Sequence, residues 1–425
     1  MNKTRLAIIL LVASIAVFLT SLGAGAIAYF SPSVFQGTTA SAQPQTNNAR
    51  SNSNATLKTT ATSTPSPNAL PKANKHYEYV FPDGGMWVYD IDHGHRLVKQ
   101  IALPTVGVRG VAASPSTGMV YISYGGNGGT HGNGIVLAYN LKTDKIAWTK
   151  KYAFGVDSQG ISPDGKTIYM PDGSQSYDGN VYILNAADGA VTGKMNTVPG
   201  ASTHNTFVNL QGTHVYTGAV NNNNLFEFDA TSHQLIKKIG PLKAGVRPYS
   251  INRAETLAFT NASSFLGFEV SDITTGKLLY HVPIKGFTAP ATATAPSHGI
   301  SLSPNEKEVY VIDSPNSYVH VFDVAGLPAS PPVQVADIAV PSMAGVEVPC
   351  PYDCQREGWL EHSRDGRYVY VGDAGVAIDT TTRKIAAHLP ALVNGRKFIE
   401  VDWSDDTPVF ANNRLAAGYA GLPLP

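Results

Sequence analysis

The chain has 425 residues, with 31 Lys and Arg against 31 Asp and Glu, and so no net formal charge. That balance excludes bulk electrostatic attraction as its way of finding nucleic acid or an anionic membrane. Charged residues make up only 15% of the chain, Gly, Pro and Tyr are frequent, and no long helical Leu/Ala/Glu/Lys pattern follows the N-terminus; the composition points to an all-β domain.

The chain opens with Lys3 and Arg5, followed by an uncharged stretch from Leu6 to Tyr29. About 24 residues make a helix of about 36 Å, enough to span a bilayer. The two cations place its start inside. The stretch is longer than the apolar region of a cleaved signal peptide, about 7–15 residues. Residues 1–30 are therefore read as a signal anchor, with cleavage after Ala28 or Ala42 as the alternative. The remainder is exported on either reading, to a periplasm or cell surface, or into the medium if the signal is cleaved. Residues 31–74 are rich in Ser, Thr, Asn, Gln and Pro without apolar periodicity. They read as a disordered spacer.

Two markers recur through residues 75–425. The first is an Asp or Asn closing an alternating strand and opening a turn: Asp90, Asn140, Asn185, Asp229, Asp272, Asp323 and Asp379. Its side chain can hold the backbone of that turn. The second is a Ser-Pro-Asp-Gly-like turn beginning at Ser114, Ser162, Asn209, Asn252, Ser303, Ser363 and Ser404. The spacing averages about 48 residues, one four-stranded propeller blade. The first Asp marker precedes the first turn marker, and the last turn marker follows the last Asp marker. The chain thus starts part-way through a blade. Residues 76–103 supply three of its strands, and residues near 398–403 supply the fourth. The expected fold is all-β: a monomeric seven-bladed β-propeller closed by its terminal strands, preceded by one transmembrane helix and a linker.

Val309-Tyr-Val-Ile-Asp313, Val369-Tyr-Val-Gly-Asp373 and Thr167-Ile-Tyr-Met-Pro-Asp-Gly173 resemble the YVTN-type (YncE-like) propeller repeat. That group is kin to the lactonase-like and quinoprotein amine dehydrogenase-like propellers. The resemblance covers about residues 76–415 and implies the fold rather than an activity.

In such a propeller the innermost strand of each blade begins at one mouth of the channel. When the copies are aligned on the turn, the position of His298 is taken by Arg109, His204 and Arg247. In Asp157-Ser-Gln159-Gly160 the strict alignment selects Asp157, whereas matching Gln-Gly to His-Gly selects Gln159. The last two copies place Glu361, His362, Glu400 and Asp402 slightly deeper or on the adjoining register. The bland reading is hydrogen bonding inside a wet channel. Two arginines and two histidines at one repeat position favour a pocket for a small polar or anionic ligand, or a protein loop. Its candidate residues are Arg109, Gln159, His204, Arg247, His298 and His362. His204, His298 and His362, with Glu361 or Glu400, are metal candidates without a spacing signature. The cofactor is otherwise open.

The loop from Gly125 to Gly134 is Gly-rich but lacks the strand-to-helix context of a phosphate-binding loop. Asp172 and Asp178 are weak calcium candidates, matching no EF-hand pattern. Cys350 and Cys354 read as a small disulfide loop, with free thiols or a redox or metal pair as alternatives. The alternative to a binding protein is an enzyme. A lactonase-like hydrolase would use His298, His204, Glu361 or Glu400 as base and Arg109 and Arg247 as oxyanion stabilisers. A quinoprotein-like oxidoreductase would need a redox partner.

Overall fold

The structure is a computed structural model that describes residues 72–125, 134–347 and 355–413. The apolar segment 6–29, the spacer to residue 71, the centre of the Gly-rich loop with His131, and Cys350 and Cys354 lie outside the described residues. Among the described residues no helix is long and apolar enough to cross a membrane.

Seven antiparallel sheets follow one another along the chain. Blade 1 is built from Val108–Ser114, Met119–Tyr124, Ile135–Asn140 and Lys145–Lys151. Blade 2 contains Gly160–Ile161, Thr167–Pro171, Asn180–Asn185 and Val191–Asn196. Blade 3 contains Thr203–Val208, His214–Ala219, Leu225–Asp229 and Leu235–Ile239. Blade 4 contains Val246–Ile251, Leu257–Ala262, Gly267–Asp272 and Lys277–Pro283. Blade 5 contains Ile300–Leu302, Glu308–Asp313, Tyr318–Asp323 and Val333–Ala339. Blade 6 contains Leu360–His362, Tyr368–Val371, Ala374–Asp379 and Lys384–Val393.

Blade 7 joins the two ends of the described chain. Phe398–Ser404 pairs antiparallel with Lys75–Val80, which continues into Gly85–Asp90 and Arg96–Ala102. This is the closure expected from the offset of the two markers. One strand was not expected: Thr407–Ala411 folds back from the Ser404 turn onto the free side of Phe398–Ser404, giving this sheet a fifth strand.

Both markers do what their chemistry predicts. Every Asp or Asn of the first marker accepts a backbone N–H of the following turn, as Asp229 Oδ1 does from Thr231 at 3.0 Å. In the second marker the Ser162 hydroxyl donates to Asp164 at 2.6 Å and accepts the Thr167 N–H at 2.9 Å.

The core lies between blades. Six blades place an aromatic residue at one position of their second strand: Tyr121, Tyr169, Tyr216, Phe259, Tyr310 and Tyr370. Each is buried within the apolar cluster shared with the next blade. A buried aromatic of this kind stabilises by about 3–5 kcal/mol relative to Ala. At the same register blade 7 has His76, opposite Asp402. Its contact with blade 1 is filled by Tyr79 and Trp403, whose indole N–H donates to the Tyr79 hydroxyl at 3.2 Å.

Candidate functional site

A cavity of about 350 Å³ opens where the innermost strands begin. Arg109, His204, Arg247 and His298 all line it, joined by Glu357, Arg396 and loop residues such as Ser174 and Thr294. Val220 is its one apolar lining residue among the described residues. At two of these positions the neighbouring blade approaches closely because glycine follows the mouth residue, Arg109 or His298. A Cβ on Gly110 would lie 2.6 Å from Ser158 Cα, and one on Gly299 would lie 2.9 Å from Leu360 N. Gly110 thereby brings Asp157 of the next connection beside Arg109.

The structure decides between the two alignments of blade 2. Asp157 holds the mouth position: its Oδ2 accepts from His204 Nδ1 at 3.0 Å and lies 4.0 Å from the Arg109 guanidinium. Its Oδ1 accepts the Ser158 N–H at 2.8 Å. Burial opposes charge on Asp157, but His204, Arg109 and Lys397 outweigh it and hold the carboxyl well below the usual carboxylate range. Burial also lowers the His204 imidazole, with Arg247 and Arg109 adding to the effect against Asp157. The imidazole is therefore neutral at neutral pH, donating from Nδ1 and leaving Nε2 as a lone-pair acceptor.

His298 is neutral for the same first reason, burial, reinforced by Arg396, His204 and Arg247. Its Nδ1 donates to the Gly358 carbonyl at 3.1 Å, and its Nε2 lies 3.6 Å from Glu357 Oε2. The two imidazole rings have centroids 5.7 Å apart. Arg396, only 5% exposed, bonds Glu357 at 2.9 Å, contacts Glu347, and lies 3.9 Å from Asp373. Despite burial, Arg396 holds the Glu347 carboxyl below its ordinary value, with help from Arg109 and Lys397. Arg247 differs: its Nε donates to Ser263 Oγ at 3.0 Å and its NH2 to the Thr294 carbonyl at 3.4 Å.

The other candidates from the sequence lie elsewhere. Gln159 is two residues deeper than Asp157 and is held by Ser123 and the Tyr121 carbonyl between blades 1 and 2. His362 lies four residues beyond Gly358, which holds the mouth position in blade 6, or about 13 Å along a strand. It is buried against Tyr310, bonds Ser301 Oγ at 2.7 Å, and burial pushes its imidazole down to about 3. The three metal candidates therefore do not converge, and among the described residues no three His, Cys, Asp or Glu side chains are grouped to hold a metal ion. Glu361 and Glu400 are buried away from the cavity, in a group with Glu78 and Asp402. Glu78 faces Glu400 directly across the pairing that closes the ring. Burial first, then Glu361 and Asp402, push Glu78 well above the ordinary range. Burial, Asp402 and Glu78 do the same to Glu400. Asp172 accepts from Thr203 Oγ at 2.6 Å and from the Asn180 N–H at 3.1 Å, so donors occupy the oxygens proposed for calcium.

Sequence reasoning missed Glu357 and Arg396. Both sit in connections between blades rather than at the repeat position. The available signal was charge clustered just before an innermost strand, in Arg356-Glu357-Gly358 and Arg396-Lys397.

No protein-family model matches the chain, and no curated protein matches it. Among solved structures the chain is similar to dihydro-heme d1 dehydrogenase NirN in complex with DHE, with a TM-score of 0.51 and 14% identity. The likeness covers 80% of this chain and 71% of that one. At that identity it is a likeness of fold, and the fold is a seven-bladed β-propeller.

Proposed function

We propose that this chain is a membrane-anchored, extracytoplasmic propeller of the YVTN type that binds a small anionic ligand at one mouth of its channel. The observation that carries the reading is the convergence of Arg109, Arg247 and Arg396 with two neutral imidazoles on one polar cavity. Guanidinium groups are the usual partners of carboxylate and phosphate. His204 and His298 are 6% and 3% exposed, which favours a small ligand over a protein loop. NirN, which is similar in fold, was solved in complex with DHE. The repeat motifs around Tyr310 and Tyr370 support the YVTN assignment, and the apolar stretch behind Lys3 and Arg5 supports the anchor.

The test is calorimetric titration of the full-length protein with small carboxylates and phosphates. Arg109→Ala combined with Arg247→Ala should weaken binding at least about 100-fold, about 2.7 kcal/mol, while the ring stays folded by circular dichroism. Undiminished binding removes the mouth pocket from consideration. Retention of the protein in alkali-washed membranes tests the anchor; release into the soluble fraction counts against it.

A hydrolase is the second reading, favoured by the Asp157–His204 pair. A buried carboxylate orienting a neutral imidazole is the arrangement of a general base, with Arg109 and Arg247 beside it for developing negative charge. Turnover of a lactone panel that is lost in His204→Ala supports it, and absence of turnover across the panel opposes it.

A further inference from the structure

We propose that the mouth cavity takes a short carboxylate carrying its own hydrogen-bond donors, a hydroxy acid or an amino acid, rather than a bare anion. The inference rests on the reading of the mouth as an anion pocket. It concerns the half of the wall that the arginines do not form. His204 spends its Nδ1 proton on Asp157. Its Nε2 is then an acceptor, and it is buried without a hydrogen-bond partner. His298 spends its Nδ1 proton on the Gly358 carbonyl, so its Nε2 is an acceptor too. That Nε2 lies 3.6 Å from Glu357 Oε2, itself an acceptor and already bonded by Arg396. One acceptor cannot satisfy another, so the His298 Nε2 calls for a proton-bearing group of the ligand.

A bare carboxylate brings only acceptors. It would meet the guanidiniums and leave the Nε2 acceptors of His204 and His298 unmatched. A molecule with a hydroxyl or ammonium close to its carboxylate satisfies both halves at once. The 5.7 Å between the ring centroids lets one small molecule reach both imidazoles. The cavity of about 350 Å³ is at the small end of ligand sites and suits an acid of a few carbons. A site built to receive donors discriminates strongly against an analogue without them, because its own buried polar groups are then left unpaired.

Three six-carbon probes separate the cases: gluconate with hydroxyls, norleucine with an α-ammonium, and hexanoate with neither. Each is titrated calorimetrically into the full-length protein. Gluconate or norleucine is expected to bind at least about tenfold tighter than hexanoate, and whichever wins identifies the donor as hydroxyl or ammonium. His204→Leu should collapse that ratio, and His204→Gln, which restores an acceptor, should recover part of it. Melting curves of both variants check that the ring is intact. Equal binding of all three acids, as when ordered water satisfies the imidazoles, overturns the inference and leaves the anion pocket standing. Failure of all three to bind overturns the anion pocket itself, and the inference with it.

Discussion

The mouth and the closing seam both bury several ionisable groups, and they reach opposite electrostatic outcomes. At the mouth, acids lie beside cations: Asp157, which also accepts from the neutral His204, lies 4.0 Å from Arg109, and Arg396 lies among Glu357, Glu347 and Asp373. Asp157 and Glu347 are held below the ordinary carboxylate range there because a guanidinium lies within reach of each, whereas at Asp373 burial outweighs Arg396 and raises the carboxyl. At the seam, Glu78, Glu361, Glu400 and Asp402 gather. Arg364 bonds Asp402 at 2.7 Å, and its backbone N–H reaches Glu400 at 2.6 Å. Burial first, and then the like charges gathered beside them, push Glu78 and Glu400 well above the ordinary range, so both hold their protons. Burial alone therefore does not decide whether a carboxyl is charged; its neighbours do.

The largest test of that contrast is Arg396→Ala. It would turn the mouth into a second seam, with Glu347, Glu357 and Asp373 lacking their shared guanidinium. The expected cost is about 3–5 kcal/mol of stability, as for other broken buried pairs. Urea denaturation at neutral pH measures it. A loss below about 1 kcal/mol would show that these acids do not depend on Arg396.

Next is the pH dependence of the seam. Glu78 and Glu400 hold protons more tightly when folded than when unfolded. Their contribution is fully present below the unfolded value near about 4.3 and is lost as pH rises toward the folded values. Wild-type stability should therefore carry a falling component from about pH 5 upward, and Glu78→Gln should flatten it. At pH 8 the variant should be more stable by about 1–2 kcal/mol, read from urea midpoints. An unchanged slope would mean that Glu78 does not titrate as part of the group.

The smallest effect separates the regions by salt. Raising NaCl from about 0.05 M to about 0.5 M shortens the screening length severalfold. The carboxylate binding proposed for the mouth should weaken a few-fold in calorimetry, whereas the pH slope of the enclosed seam should not move. A seam that responds to salt as the mouth does would mean that ions reach it.

The two regions were unequally legible in the sequence. Arg109, His204, Arg247 and His298 occupy one repeat position, so aligning the turns was enough to bring them together. Asp157 was one of two registers left open for blade 2, and the packing around Gly110 selected it. Glu357 and Arg396 escaped because connections between blades have no register to align. Glu361, Glu400 and His362 were picked out as unusual residues on innermost strands, but their depth was not visible. A shift of a few residues along a strand moves a side chain about 10 Å or more, out of the mouth and into the wall. The extra strand Thr407–Ala411 was equally hidden, since nothing in its sequence says which side of Phe398–Ser404 it joins.

The sequence by itself determined the blades and their number. Local chemistry repeats with them: an Asp or Asn that holds its own turn, a Ser that staples the next, an aromatic wedge for the neighbouring blade. Those interactions lie within one repeat or between adjacent ones, so the order of residues records them. Only the tertiary structure decided which charges meet. Glu78 and Glu400 are neighbours because the ring closes with the two ends of the described chain, and Arg396 finds Glu347, Glu357 and Asp373 because connections from separate blades meet at one rim. Ionisation depends on distances among such remote groups, and closure of the ring sets those distances.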